Sequence, residues 1–333
     1  MKIIEEDTID IYNDAIKLGF KNKSFLITGA TGMIGQLLVG ALKNITDENK
    51  IIVFGKDKNE AERIFANTCI VCSSFEEIAS LPKADFVIHL ASPTNSKFLA
   101  EKPVETIDFI YRSTKKMLDY SLKHKSKMLY VSSMETFGEV FDESKKKETN
   151  LGYISLESTR SSYPESKRLC ELLCFSYARE YGLDVYTARL AQTFGAGTSL
   201  NDPRIFGYIS RCVVNNENIV LNTKGDTVGN YCYISDTIRA FFYIFAKGES
   251  GLSYNVVGDN CRSTIYDLAE MVSKKLANNS IDVVTNLGSD IIYPNPTKLN
   301  MDNTRIKKLG WEPKYDLLSM FQRMIESEIN KND

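Results

Sequence analysis

Apolar and polar positions change their period several times along the chain. Residues 4–19 place Ile9, Ile11, Tyr12, Ala15, Ile16 and Leu18 at spacings that suit a short helix ahead of the first strand. From Ser24 the pattern becomes an apolar run over 25–28, a glycine-rich turn, an amphipathic stretch over about 33–43 and a second apolar run over 51–54, which reads as strand, turn, helix, strand. Further apolar runs at 85–91 and 128–132 are separated by helical segments, and the longest regular helical stretches cover 106–124 and 164–181. Strands alternating with helices predict an α/β fold built on a doubly wound parallel sheet. The alternation lapses after Arg189, with loops near 195–203 and 225–230 and a mixed segment from Ser263 onward that contains the turn-like Tyr293-Pro294-Asn295-Pro296. We therefore divide the chain into an N-terminal extension (1–21), a sheet domain over 22–195 that takes back about 226–260, and a smaller C-terminal lobe from 196–225 and 261–330. Residues 254–258 read as a strand returning to the sheet.

Composition narrows the classes. With 333 residues, 43% hydrophobic and 25% charged, the chain is an ordinary globular one, long enough for a sizeable core. Lys and Arg number 41 against 43 Asp and Glu, so no whole-molecule field points to nucleic acid or to an anionic membrane. No run approaches the roughly 18–20 apolar residues of a membrane span, and the acidic, mixed start does not read as a targeting segment, so a soluble cytoplasmic protein is expected. The histidines are His89 and His124 alone, which excludes a His-rich metal site; no metal is expected, and His89 reads as a packed residue. The seven cysteines, Cys69, Cys72, Cys170, Cys174, Cys212, Cys232 and Cys261, are odd in number and scattered, as in a reduced compartment. Cys69-x-x-Cys72 has no second pair and reads as thiols in or near a strand. The charged run 139–149 reads as a solvated loop or lid edge. Cys170, Cys174, Phe241, Phe242, Tyr243 and Phe245 read as core or interface.

Two constellations carry candidate chemistry. The first is Thr28-Gly29-Ala30-Thr31-Gly32-Met33-Ile34-Gly35, a Gly-x-x-Gly-x-x-Gly turn between the first strand and its helix. Glycines there allow a backbone with positive φ to approach a pyrophosphate, whose charge meets the helix N-terminus. In a βαβ context this predicts dinucleotide binding, a Rossmann domain, with Gly29, Thr31, Gly32, Met33, Ile34 and Gly35 at the cofactor. The second strand should end on the group that reads the adenosine ribose. Its Gly55-Lys56 tilts the choice from NAD towards NADP, with Lys56 as a cofactor contact, unless Asp57 takes the acidic role.

The second constellation is Tyr163-Pro164-Glu165-Ser166-Lys167. Four residues turn a helix by about 400°, so Tyr163 and Lys167 share a face, and Pro164 suits a first turn. An ammonium beside a phenol should lower the phenol's pKa and make a base that takes a hydroxyl proton as hydride leaves.

These two motifs stand in order with His89-Leu90-Ala91-Ser92, Ser132-Ser133-Met134-Glu135-Thr136-Phe137-Gly138, Tyr163 to Arg168, and Arg189-Leu190-Ala191-Gln192-Thr193-Phe194-Gly195. Together they resemble the extended short-chain dehydrogenase/reductases, specifically the NAD-dependent epimerase/dehydratase family acting on nucleotide sugars, over about residues 22–325. The resemblance implies that Tyr163 is the general base, that Lys167 holds the nicotinamide ribose and tunes it, and that Ser133 bonds the reacting hydroxyl, with Ser132 as the alternate. It places Leu90, Ala91 and Ser92 beside the cofactor, Ser92 and Thr94 within reach of the substrate, and Gln192 near its diphosphate. Arg160, Arg189 and Arg204 are candidates for holding that diphosphate, against the commoner role of arginines in surface or structural ion pairs; Arg204 is carried forward as a substrate contact.

Departures from the family pattern separate the reactions. Sugar 4,6-dehydratases usually have an acid where this chain has Met134, so 4,6-dehydration is disfavoured. The nearest motif pattern is that of glucuronate decarboxylases, but the place of their arginine is taken by Gly229, which disfavours decarboxylation unless Arg204 or Arg211 substitutes. Glu135 remains as a second titratable group, either exchanging a proton at C3 or C5 or bonding a sugar hydroxyl. The expectation is an NAD(P)-dependent nucleotide-sugar enzyme oxidising C4 through Ser133, Tyr163 and Lys167, with net epimerisation ahead of an NADPH-dependent reductase that forms a nucleotide-linked polyol, and of decarboxylation. A non-catalytic dinucleotide-binding protein would have no need of the proton relay. By analogy with the family, a homodimer through the helices at 106–124 and 164–181 is also expected.

Overall fold

The computed structural model describes residues 2–47, 50–55, 57–65, 69–287 and 296–329. In chain order the elements are α1 (Lys2–Lys17), β1 (Phe25–Thr28), α2 (Met33–Ile45), β2 (Ile51–Phe54), α3 (Lys58–Phe65), β3 (Ile70–Cys72), β4 (Phe86–His89), α4 (Ser96–Glu101), α5 (Pro103–His124), β5 (Lys127–Ser133) and α6 (Ser162–Tyr181). They continue as β6 (Val185–Leu190), β7 (Gln192–Phe194), α7 (Ile205–Asn215), β8 (Ile219–Leu221), β9 (Val228–Tyr233), α8 (Ile234–Lys247), β10 (Ser253–Val256), β11 (Arg262–Thr264), α9 (Ile265–Leu276), β12 (Val283–Thr285), α10 (Thr304–Lys307) and α11 (Leu317–Ile329).

The seven-stranded sheet has the order β10-β6-β5-β4-β1-β2-β3. All its pairings are parallel. Every residue of β1, β2, β6 and β10 is buried, because helices cover both faces. On one side α5 packs along α6; on the other α2 and α8 pack together, with Phe20, Phe25, Phe86, Phe242 and Phe245 in mutual ring contact beneath them. Strand order reverses between β1 and β4, and the loops leaving their carboxyl ends diverge there to open a crevice.

The chain leaves this sheet earlier than the sequence pattern suggested. Of the stretch 226–260, α8 and β10 serve the large sheet, but β9 lies between β11 and β7 in a separate three-stranded sheet. A further small sheet pairs β12 with β8. The returning strand expected at 254–258 is β10, parallel to β6.

The first residues are also more than an extension. Ile11 and Ala15 of α1 are fully buried, and the helix packs on α2, α8 and α11. Its acidic positions recur every three or four residues and meet cations of the other layers: Asp7 with Arg323 at 2.9 Å, Asp10 with Lys314 at 2.6 Å, Asp14 with Arg239 at 2.5 Å. Burial raises the Asp7 carboxyl to about 6, despite hydrogen bonds from Tyr233 and Arg323.

The run 139–149 is not a free lid edge. Lys146 donates its backbone N–H to Asn300 at 2.7 Å and accepts from Asp302 at 3.0 Å, while the Glu148 side chain, 5% exposed, accepts from the Asn255 amide at 3.0 Å. The rest of the run's charges, Asp142, Glu143, Lys145 and Lys147, are exposed as expected. Cys72 is buried at the end of β3, Cys170 and Cys174 are buried on α6, and the aromatics at 241–245 are core. The turn expected at Tyr293-Pro294-Asn295 lies outside the described residues. Among the described residues, no helix is long and apolar enough to cross a membrane.

Candidate active site

The glycine turn fits a dinucleotide. Gly29 has a φ of +70°, and a Cβ there would stand 2.9 Å from the Ala91 nitrogen; one on Gly35 would stand 2.5 Å from the Gly29 oxygen. Gly32 caps α2 without a side-chain bond, and the first turn carries no acid. The first amides of the helix, those of Met33 and Ile34 among them, therefore lack intrahelical partners and face an anion-binding position. Thr31 lies where β2 approaches, its methyl 3.2 Å from where a Cβ on Gly55 would be. Met33 is reached from the loop after β7 by the Thr198 hydroxyl at 2.9 Å.

A buried histidine locks the two diverging loops. His89 Nδ1 is 2.6 Å from Thr28 Oγ1, which also accepts from the Ala91 amide at 3.2 Å, and His89 Nε2 is 3.2 Å from Thr114 Oγ1. Burial drops its pKa to about 3, so it is a neutral packed residue, as the sequence suggested. Leu90 and Ala91 are thereby held against the glycine turn, with Ser92 half-buried and Thr94 exposed in the loop beyond. Lys56 lies outside the described residues. Asp57 accepts the Glu60 amide at 3.1 Å, which occupies its carboxylate in starting α3.

Strand alternation sends the two serines at the end of β5 to opposite sides. Ser132 is buried and donates to Glu171 at 2.6 Å. Ser133 accepts from the Glu135 amide at 3.2 Å and acts to lower the pKa of the Tyr163 phenol, so it, and not Ser132, is the serine on the Tyr163 side. Tyr163 enters in the first turn of α6, and Lys167 follows one turn later. The Lys167 ammonium donates to the Val131 carbonyl at 2.9 Å and lies over the rings of Tyr130 and Tyr163, 5.0 and 5.7 Å from their centroids.

The expected tuning of Tyr163 needs correction. Its phenol is pushed up from the ordinary value, first by burial and then by the Glu135 carboxylate, with Ser133, Arg160 and Arg204 acting in the opposite direction. Burial also brings Lys167 down to about 8. In a dry site both ionised forms are penalised, and the lysine spends its hydrogen bond on Val131. Spacing on a helix could not reveal that desolvation outweighs proximity.

The arginines divide. Arg189 is 3% exposed, forms an ion pair with Glu171 at 2.6 Å and donates to the Glu148 carbonyl at 2.6 Å; it is structural. Arg160 pairs with Glu135 at 2.8 Å, its guanidinium 5.5 Å from the Tyr163 ring centroid, both side chains 38% exposed. Arg204 forks onto Asp202 at 2.9 and 2.6 Å and its charge is felt at Tyr163. Arg211 donates to the Leu200 carbonyl at 2.8 Å.

Arg204 stands between Pro203 and Ile205, which help line a cavity of about 940 Å³ together with Tyr208, Leu221, Lys224 and Thr227. This cavity had no periodic signal in the sequence; only the loops at its edges were readable. Gln192 is half-buried at the start of β7, in register with Tyr231. At Gly229 a Cβ would stand 2.3 Å from the Tyr231 hydroxyl oxygen, so an arginine has no room there in this arrangement. Met134 packs against the core.

Residues 25–257 match the NAD dependent epimerase/dehydratase family. The chain belongs to this family. Among curated relatives, UDP-glucuronic acid decarboxylase 5 of Arabidopsis thaliana is 29% identical over 309 residues, covering 89% of this chain and 86% of the relative. Among solved structures, UDP-glucose 4-epimerase of Thermotoga maritima superposes with a TM-score of 0.80 at 20% identity, over 93% of this chain and 100% of that one. UDP-N-acetylglucosamine 4-epimerase of Methanobrevibacter ruminantium gives 0.80 at 20% identity, over 93% and 99%. The family resemblance read from the motifs and the parallel sheet expected from the pattern are both borne out.

Proposed function

We propose that this NAD-dependent family member oxidises C4 of a nucleotide-linked sugar and then re-reduces it, giving net epimerisation. The observation that carries the proposal is the gathering of Ser133, Tyr163 and Lys167 in a fold with a dinucleotide-fitting turn, where Arg204, whose neighbours Pro203 and Ile205 line a cavity of about 940 Å³, acts on Tyr163. The dinucleotide, when bound, accepts and returns hydride. The chain's own residues do the rest. Tyr163 Oη takes the proton of the C4 hydroxyl, Ser133 holds that hydroxyl, and Lys167 provides positive charge beneath the phenol. Gly29, Thr31, Gly32, Met33, Ile34 and Gly35 hold the pyrophosphate end, with Leu90, Ala91 and Ser92 flanking the ring end. Thr94, Gln192 and Arg204 contact the substrate, Arg204 joining the cavity to Tyr163.

Tyr163→Phe removes the proton acceptor but little else. Turnover should fall by about a hundred- to ten-thousandfold while dinucleotide binding is retained, the range that loss of a general base costs. Full activity in that variant, with NMR of the product of UDP-glucose turnover as readout, sinks the mechanism.

Decarboxylation of a nucleotide-linked uronate is the second reading, favoured by the names of the curated relatives and by Glu135 beside Tyr163. The crowding of Gly229 by Tyr231 weighs against it. Release of carbon dioxide from UDP-glucuronate separates the two, and steady consumption of free NADPH would instead mark a reductase. NADP is preferred over NAD in our reading, because Gly55, not an acid, follows the last residue of β2, and Asp57 is engaged at α3. Identifying the dinucleotide released on denaturation tests this. We also read the protein as a cytoplasmic homodimer: Val104, Ile107, Leu169 and Leu172 are exposed apolar residues on the adjoining helices α5 and α6. Light scattering at micromolar concentration should give twice the chain mass.

A further inference from the structure

Arg160, whose guanidinium lies near the Tyr163 ring, has incomplete bonding. Its Nη2 donates to Glu135 at 2.9 Å, but its Nη1 is buried and has no partner among the described residues. A buried guanidinium N–H left unbonded is costly, and it favours any acceptor brought within reach. The acceptor that enters this site under the reading above is the reacting sugar. Arg160 arrives from the short turn at 159–161 just before α6, so its head lies over the same tyrosine that takes the sugar's proton.

We propose that Arg160 works from both ends: Nη2 fixes the Glu135 carboxylate beside Tyr163, and Nη1 binds an oxygen of the reacting sugar. Sugar engagement and the placement of the second proton carrier then become one event, and Arg160 both contacts substrate and positions Glu135. This rests on the assignment of the crevice to a nucleotide sugar.

The electrostatics around Tyr163 give the inference a signature that packing alone would not produce. The phenol is faced by Ser133 and Glu135 from the turn after β5, Arg160 from the turn before α6, Arg204 from the start of α7, and Lys167 and Tyr130 from beneath. Lys167 in turn faces Cys170, Glu171, Cys174 and Glu135. Glu135 pushes the phenol's pKa up and Arg160 pulls it down, so removing each should move the same titration in opposite directions.

The test uses the full-length protein loaded with its dinucleotide and a panel of UDP-, dTDP-, CDP- and GDP-glucose with UDP-glucuronate. On whichever substrate turns over, Arg160→Met should raise KM roughly ten- to a hundredfold, as expected for a lost hydrogen bond from a charged donor. It should also move the limb of the rate profile that requires phenolate to higher pH by roughly one unit. Glu135→Gln should move that limb to lower pH, and the double variant should return it towards the wild type. Arg160→Lys should restore the limb, because the charge is back, but not KM, because a single ammonium cannot reach both partners. An Arg160→Met enzyme with KM within about twofold and an unmoved limb, whatever its melting temperature, overturns the inference while leaving the C4 chemistry intact. If the wild type reduces its dinucleotide with none of the sugars, the functional reading itself fails, and this inference with it.

Discussion

Glu171–Arg189 and Glu135–Arg160 are the same chemical pair set on two sides of one strand end. Ser132 donates into the first pair, and the amide of Glu135 in the second donates to Ser133, so the two-residue alternation of β5 divides them. The inner pair is almost sealed, at 3% and 4% exposure. Arg189 spends Nε and Nη2 on Glu171 and Nη1 on the Glu148 carbonyl, while Glu171 also accepts from Ser132. The outer pair is 38% exposed on both members and leaves a buried guanidinium nitrogen without a partner. A saturated pair holds β5, β6 and α6 together; an unsaturated one next to Tyr163 is available to a ligand. Satisfaction of donors separates the two better than residue type does.

Breaking the inner pair should have the largest effect on stability. Arg189→Met leaves Glu171 charged and buried, and loss of one partner of such a pair costs about 3–5 kcal/mol, measurable as a lowered midpoint in urea. A loss below about 1 kcal/mol would show that water reaches the pair.

The lysine between the two clusters gives the next effect. Its pKa is lowered to about 8 in the fold from 10.5, so the unfolded chain binds more protons between those values, and stability rises as pH climbs through that window. Lys167→Met should therefore be stabilising by roughly 2–3 kcal/mol at pH 7, a gain that shrinks towards pH 10.5. Urea denaturation across that range checks the slope, and a pH-independent difference would refute it.

Breaking the outer pair should barely register in stability. Arg160→Met is expected to change unfolding free energy by less than about 1 kcal/mol, since half-exposed pairs are worth that much or less. The smallest effect is that of salt. At about 1 M, where the screening length is about 3 Å, the Arg160→Met difference should vanish in denaturation curves while the Arg189→Met loss persists. Equal salt sensitivity of both would remove the distinction drawn between them.

Much of this arrangement was legible in the chain. Apolar runs marked β1 and β2 at their observed bounds, and the glycine spacing marked a turn whose Cβ positions are blocked by backbone. Tyr163 and Lys167 were placed on one face by helical periodicity alone. Period and turn chemistry are local, so they survive without knowledge of what packs above them. The family resemblance supplied the role of Ser133, but the choice between it and Ser132 needed the direction of β5.

What stayed hidden depends on distant partners. Nothing near Arg189 in sequence announces Glu171, and nothing near Asp7 or Asp14 announces Arg323 and Arg239, so α1 looked like an extension when it packs on α2, α8 and α11. The charged run at 139–149 looked solvated because its strap, at 298–302, lies far along the chain.

The sequence by itself determined the alternating sheet, the glycine turn and the placing of Tyr163 and Lys167 on one helical face, because short-range stereochemistry and residue type are written locally. Only the tertiary structure decided which arginine is saturated and which is open, and in which direction the Tyr163 and Lys167 pKa values move. Burial and hydrogen-bond completion are properties of the surroundings, and those are assembled from residues far apart in the chain.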